Sequence, residues 1–342
     1  MTESDKEKKV TGRELRVMAG DDGIRLNRWC KQYVSEMPFG LMQKLLRKGA
    51  IRVNGVRATA DQRLRGGQVV RIPILEKRES TTQEDGDKKR ALSEEKLKNA
   101  AHKWLEDTVI YENNYLVVIN KPHGLASQGG SKVKLSVDVL MPYIAHMDGG
   151  NTPRLVHRLD KDTSGVMLLG KTGAATRELT EVFRERDVKK IYWAIIKGVP
   201  RERQGKINLP LALRSEGGRE EKVRVDEAGG KKSTTFYKVI ETAGNKLSWV
   251  MLMPHTGRKH QLRVHMDAIG HPIVGDGKYG GAEAFITGVE QKLHLHARRV
   301  VCPSVQVKGK QLDVCAPLPP HMQKTWELFD FNASHEDDVE LL

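Results

Sequence analysis

The stretch from Arg154 to Gly170, RLVHRLDKDTSGVMLLG, constrains this chain more than any other. An apolar entry (Leu155, Val156, Leu159) runs into a polar knot, His157-Arg158 and then Asp160 to Gly165, and a second apolar run, Val166 to Leu169, leaves it. Runs this short, bounded by Asp, Ser and Gly, read as two buried strands joined by a turn. Asp162-Thr163-Ser164-Gly165 is sufficient chemistry for a turn. A turn alone has little use for Arg158, Asp160 and Lys161 at a strand end, so the knot is also a candidate site.

At 342 residues the chain is long enough for two domains, one with a sizeable core. Its formal net charge of +14 favours a polyanionic partner. No apolar stretch approaches the roughly 20 residues of a membrane span, and neither end carries a lipidation signal. The opening MTESDKEKKV has neither the apolar core of a signal peptide nor the acid-poor character of a transit peptide. The expectation is a cytoplasmic protein without a membrane partner, and nothing demands more than a monomer. Cys30, Cys302 and Cys315 lie far apart with no C-x-x-C pair, which argues against a disulfide framework or a structural zinc.

Residues 14–75 form a first unit, after an N-terminus (1–13) expected to be disordered. Leu26, Trp29, Cys30, Tyr33 and Val34 repeat with helical spacing. A second helix follows with Leu41, Met42, Leu45 and Leu46 inward, Lys44, Arg47 and Lys48 outward, and Gly49 as its stop. Ile51 to Val56 reads as two short strands about an Asn54-Gly55 turn, and Val69 to Ile74 as a closing strand. Twelve Lys or Arg against five acids place half of the chain's excess charge here. The order of elements, with RKGAIRVNGVR at its centre, resembles the S4 RNA-binding domain across Leu26 to Ile74. That resemblance implies a small α/β RNA-docking module, with Lys44, Arg47, Lys48 and Arg52 as candidate RNA contacts. Residues 76–101 are charged and without apolar periodicity and read as a flexible linker; residues 331–342 read as an acidic, disordered tail.

The larger domain spans 102–330. Val109–Tyr111 and Leu116–Asn120 read as strands about a turn at Glu112 to Asn114. Gly129-Gly130-Ser131-Lys132 lacks the spacing of a phosphate loop. Ala175, Leu179, Val182 and Phe183 mark an amphipathic helix, and Lys190 to Ile196 a strand. Strand parity puts Tyr192 on the face of Lys190, Ala194 and Ile196, opposite Ile191, Trp193 and Ile195. Leu247 to Met253 is a further strand, His255 to Arg258 a turn, and Lys259 to Ile269 a helix stopped by Gly270. Leu262, Met266 and Ile269 form the core stripe of that helix, with Gln261 and His265 on other faces, and Gly275 to Gly281 is a loop. Strand after strand with occasional helices implies an α+β fold, a mainly antiparallel mixed sheet with flanking helices.

Histidines are frequent here, but His260 and His265 are five apart and no H-x-x-x-H pair occurs, which argues against a metal site. No G-x-S-x-G or Cys-His signature is present. What remains is Asp160, a carboxylate among arginines, suited to act as a nucleophile or electrostatic stabiliser rather than a proton donor.

Four strings in order, YENNYLVVINKPHGLASQGG (Tyr111 to Gly130), HRLDKDTSGVMLLGKT (His157 to Thr172), KKIYWAIIKG (Lys189 to Gly198) and TGRKHQLRVHMDAIGHPIVGDGKYG (Thr256 to Gly280), resemble the RluA family of pseudouridine synthases. With the S4-like unit in front, the chain is most similar to members acting on large-subunit (23S) ribosomal RNA, the RluC type. The resemblance implies isomerisation of specific uridines in RNA, rRNA or a ribosome precursor, without metal or cofactor. It assigns three catalytic positions: Asp160 as the nucleophile that attacks the target uridine; Tyr192 as the ring that stacks on the base and assists proton removal from C5; and Arg263 as the arginine paired with the aspartate. Arg158 and Arg258 match basic RNA contacts. The base must be flipped out of the RNA, and phosphate contacts and an aromatic face offset that cost. Two other classes stay open at this point, a noncatalytic RNA-binding factor of the same fold and a hydrolase using Asp160 with His157.

Overall fold

The structure, a computed structural model, describes residues 12–18, 21–34, 37–74, 106–129, 135–145, 152–185, 188–214, 222–307 and 310–334, together with residues 95, 99, 101, 103 and 104. The N-terminus to residue 11, most of the expected linker, the Gly130 to Lys132 stretch and the tail beyond 334 lie outside the described residues. The chain divides into two compact units, Met1–Gly86 and Asp87–Leu342.

In the smaller unit, β1 (Gly12–Arg16), β2 (Arg52–Val53), β3 (Val56–Arg57) and β4 (Val69–Pro73) form an antiparallel sheet of order β1-β4-β2-β3. Helices α1 (Leu26–Tyr33) and α2 (Phe39–Arg47) pack Leu26, Trp29, Met42 and Leu46 against Ile51, Val53, Val70 and Ile72. The β2–β3 hairpin turns at Asn54 and Gly55, φ 49° and 79°, the left-handed pair that a two-residue hairpin requires. Strand β1 is additional to the elements expected from the sequence. Its residues, GRELR, are polar because it is an edge strand with little to bury, so periodicity carries no sign of it.

The larger unit is built on one ten-stranded sheet. Its path runs β10 (Gln204–Asn208), β13 (Thr234–Ala243), β14 (Leu247–Pro254), β9 (Lys189–Lys197), β15 (Leu295–Val307), β8 (Ser164–Gly170), β6 (Leu116–Lys121) and β5 (Val109–Glu112). β7 (Arg154–Leu155) adds to β8 and β16 (Lys310–Cys315) to β15, while β11 (Leu211–Arg214) and β12 (Lys222–Val225) make a separate hairpin. Every pairing in the large sheet is antiparallel except β8 with β15, where Ser164 lies beside His296 and Gly165 beside Ala297. The mixed, mainly antiparallel sheet expected from the sequence is therefore present. Helices α3 (Val137–Ala145), α4 (Gly173–Glu185), α5 (Gln261–Ala268) and α6 (Pro320–Leu328) flank it.

Strand β9 decides what lies where. Ile191, Trp193 and Ile195 join Trp249 and Trp326 in one core, while Ala194, Ile196 and Tyr192 face Leu262 and Met266 of α5, as parity required. Helix α5 thus covers the face that carries Tyr192.

Three expectations are corrected. The first strand of the Arg154–Gly170 motif is only two residues long, and Val156 to Thr163 is a loop. Helix α5 is shorter at both ends than the expected Lys259 to Ile269, and the faces off its apolar stripe are covered: Gln261 and His265 are as buried as Leu262, because the β10 to β13 segment closes over them and supplies partners in Thr234, Thr235, Ser233 and the Leu209 carbonyl. Both ends of the catalytic unit extend further than expected, since Ala101 is fully buried in the core against Leu140 and Phe331 packs on Trp249 and Trp326.

Two fully buried histidines cross this sheet. His294 is bonded to Thr325 Oγ1 (2.8 Å) and the Lys292 carbonyl (2.7 Å), and His296 to Ser164 Oγ (2.9 Å). Burial pushes their pKa values down from 6.5 to about 4 and about 3. As pH falls below 6.5 the unfolded chain takes up protons that these folded imidazoles refuse. Stability should therefore drop on acidification, at up to about 1.4 kcal/mol per pH unit for each histidine until the folded pKa is reached. Urea midpoints measured from pH 7 to pH 5 check this, and a flat profile would contradict it.

Candidate active site

The Val156 to Thr163 loop holds Asp160 through bonds to its backbone on every side. Buried Ser127 donates its hydroxyl to the Leu159 carbonyl (2.6 Å) and accepts the Leu159 N–H (3.0 Å). The Lys121 ammonium, fully buried at the end of β6, donates to the carbonyls of Leu125 (2.7 Å), Pro122 (3.0 Å) and Lys161 (3.1 Å). Burial pushes this amine down to about 7, against the opposing charges of Asp162 and Asp160. The Gly124 N–H reaches the Lys161 carbonyl (3.0 Å), and the Thr163 N–H closes a turn onto the Asp160 carbonyl (3.2 Å). Ser127→Ala would orphan both backbone groups of Leu159. The expected cost is about 1–3 kcal/mol of stability, read from a denaturant midpoint.

His157 is fixed in the same way. Its Nε2 accepts the Leu168 N–H (3.0 Å), and its ring stacks on Phe183 with centroids 4.3 Å apart. Burial first, then Lys190, lowers its pKa to about 3. The lone pair a base would use is already engaged.

Asp160, Tyr192, Arg263, Arg158 and Arg258 line one open cleft of about 880 Å³, which is ample for a nucleoside. Arg158 reaches Gln128 Oε1 at 3.5 Å, and Arg258 is seated by its backbone N–H on Gln261 Oε1 (3.1 Å). Burial, and secondarily the Asp160 charge, raises the Tyr192 pKa, so the phenol enters the cleft protonated. In the smaller unit, Lys44, Arg47, Lys48 and Arg52 are exposed at the end of α2 and on β2, although Arg52 also donates to the Gly55 carbonyl (3.1 Å).

Arg263 stands differently from the sequence expectation. Its guanidinium forms a bidentate pair with Asp276, Nε to Oδ2 2.7 Å and Nη2 to Oδ1 2.6 Å, and lies 5.1 Å from the centroid of the Tyr279 ring. Asp160 acts on it only through longer-range attraction. The carboxylate that the motif pairs with this arginine is therefore not the one that takes the fork. Asp276 is fully buried beside the helix and offers both oxygens in plane, the arrangement a guanidinium binds best. The basic group drawn up to Asp160 is the imidazole of His260, Nε2 to Oδ1 3.8 Å.

Sequence reasoning passes over Lys121, Ser127, His260, Asp276 and Tyr279. His260 enters it only as a possible metal ligand, and Asp276 and Tyr279 only as loop residues. A buried lysine after a continuous apolar strand is the one available signal. Among the described residues no cluster of three or more His, Cys, Asp or Glu is arranged to hold a metal, and no helix is long and apolar enough to cross a membrane.

Comparison with known proteins agrees with this geometry. Residues 115–268 match the family described as RNA pseudouridylate synthase. The chain is 36% identical over 295 residues to the ribosomal large subunit pseudouridine synthase C of Rickettsia felis, covering 86% of this chain and 93% of that one. It is 34% identical over 312 residues to the protein of that name from Vibrio cholerae, covering 88% and 92%. A solved structure, human RNA pseudouridylate synthase domain containing 4, aligns with a TM-score of 0.58 at 31% identity, over 69% of this chain and 97% of that one. With the sheet, the cleft and these relatives in agreement, the chain belongs to the RluA family and is an RNA pseudouridine synthase.

Proposed function

We propose that the protein isomerises specific uridines in large-subunit ribosomal RNA, with Asp160 as nucleophile on a base flipped into the cleft. The observation that carries this reading is the meeting of the Asp160 carboxyl and the Tyr192 phenol in one basic cleft, on a chain about one-third identical to relatives named for large-subunit RNA. A uridine within folded RNA is reached only by extrusion, which costs a few kcal/mol of unstacking. The Tyr192 ring offers a stacking face, and Arg158 and Arg258 offer phosphate contacts that offset the cost.

The state of Tyr192 suggests an order of events. Its phenol is held protonated partly by the negative charge of Asp160. Covalent attack turns that carboxylate into a neutral ester and removes this second contribution, while burial keeps the phenol protonated; the C5 proton therefore leaves to a water that the Tyr192 oxygen holds as hydrogen-bond acceptor, after the base has detached. The hydrolytic alternative lacks a base in His157, whose Nε2 is occupied by Leu168.

The test is incubation of the protein with large-subunit RNA, followed by carbodiimide-blocked primer extension and mass analysis. Discrete stops in RNA of unchanged mass support the reading; released uracil, or no stops on large-subunit RNA in any state of assembly, defeats it. The likeness of residues 26–74 to the S4 domain, together with their exposed Lys44, Arg47 and Lys48, supports a docking role for the smaller unit. RNA affinity should fall steeply with salt. Removal of residues 1–75 should make the log–log slope shallower by roughly one unit for each phosphate that this unit neutralises. Equal slopes would remove that unit from docking.

A further inference from the structure

His260 is the last residue before α5, and its backbone sits in the left-handed region, φ 53°. A side chain with a Cβ adopts that conformation at a cost, and strain of this kind gathers where a group must be aimed. The ring is aimed by Tyr279, whose Oη lies 2.6 Å from Nδ1 with the two rings edge to face. Tyr279 is itself held from two directions: the Arg263 guanidinium lies over its ring, and its own N–H donates to Asp276 Oδ1 (3.2 Å).

The carboxylate facing Nε2 favours the tautomer that carries its proton there, which leaves Nδ1 to accept the Tyr279 hydroxyl. That Nε2–H is the atom facing Asp160 Oδ1 across 3.8 Å. Burial lowers the pKa of His260, Asp160 opposes the shift, and Arg263, Lys259 and Lys278 add to it, so the ring is a neutral donor at neutral pH.

We propose that His260, aimed by Tyr279, is a positioning residue for Asp160, taking one carboxylate oxygen with Nε2–H so that the other points at the substrate. The inference rests on Asp160 being the nucleophile. The gap to a hydrogen bond is under about 1 Å, a closure expected when substrate fills a cleft that is open in its absence. No bond to His260 is made or broken: the same N–H that steadies the carboxylate is left on the carbonyl oxygen of the ester. Arg263 enters at one remove, by gripping Asp276 and covering Tyr279, which gives the buried ion pair a role in the site without contact with the nucleophile.

The experiment measures the single-turnover rate of pseudouridine formation and, separately, RNA affinity, for wild type, Asp160→Asn, His260→Ala, His260→Gln and Tyr279→Phe. Misaiming a reacting group by about 1 Å costs roughly 100-fold. His260→Ala should therefore slow turnover by about that factor while affinity stays within about threefold. His260→Gln, whose amide N–H can reach the place of Nε2, should restore most of the rate. Tyr279→Phe should slow the reaction and shift the acid limb of its pH profile upward, because loss of the donor on Nδ1 frees that nitrogen to take a proton. The double variant His260→Ala/Tyr279→Phe should be no slower than His260→Ala alone. A wild-type rate for His260→Ala, or a Gln variant no faster than the Ala variant, overturns the proposal. Activity retained by Asp160→Asn would instead overturn the nucleophile assignment. Should His260→Ala fail to fold, the Gln variant and the Tyr279→Phe pH profile still decide it.

Discussion

Asp160→Asn should reduce pseudouridine formation by at least about 10⁴-fold while RNA affinity stays within about threefold of wild type. The replacement keeps the shape of the side chain and removes its capacity to form an ester. The loop that carries Asp160 is held by bonds to backbone groups from Ser127, Lys121 and Gly124, and none of them involves the carboxyl group. Position and folding should survive the change. RNA is recognised mainly through phosphates, so loss of one negative charge in the cleft should, if anything, tighten binding slightly. Primer extension after carbodiimide treatment reads the activity and filter binding reads the affinity. Full modification by the variant would remove Asp160 from the chemistry.

Gly165→Ala is expected to be severely damaging to the scaffold. Gly165 has φ 114°, and a Cβ built there would lie 2.2 Å from the Ala297 carbonyl oxygen and 2.6 Å from the Ala297 nitrogen. Both are backbone atoms of β15 and cannot rotate away. Relief requires β8 and β15 to part, which would also strain the buried Ser164–His296 hydrogen bond beside them. A loss of about 4 kcal/mol or more, or failure to accumulate as soluble protein, is expected. Gly124→Ala provides the comparison: φ is also positive, 84°, but nothing lies within 4 Å, so its cost should be about 1 kcal/mol. Urea midpoints of the two variants differing by less than about 1 kcal/mol would refute the steric argument.

Much of this architecture is legible in the sequence where a local rule governs it. The Asn54-Gly55 hairpin, the Gly49 and Gly270 helix stops and the two faces of β9 each follow from backbone freedom or from a period of two. What is not legible depends on residues far apart in the chain. Nothing in Ser164-Gly165 announces that His296-Ala297 will lie alongside in parallel, because a strand does not encode its neighbour. Helix α5 misleads for the same reason. Gln261, Arg263 and His265 lie off its apolar stripe, and the spacing does not say that Asp276, Thr235 and Leu209 will be brought to meet them. The candidate site divides in the same way. Asp160, Tyr192 and Arg263 stand in recognisable strings, and strand parity places Tyr192 toward the cleft. The pairing of Arg263 with Asp276 and the approach of His260 to Asp160 are outcomes of packing, invisible to spacing.

The place of β15 between β8 and β9 has a consequence during synthesis. Asp160 precedes β8 and Tyr192 lies on β9, yet the two strands are not paired; between them in the sheet lies a strand made about 100 residues later. A nascent chain that has exposed both side chains still lacks the strand that joins the two walls of their cleft. The cleft is therefore complete only after β15 has been made, however early Asp160 and Tyr192 are synthesised.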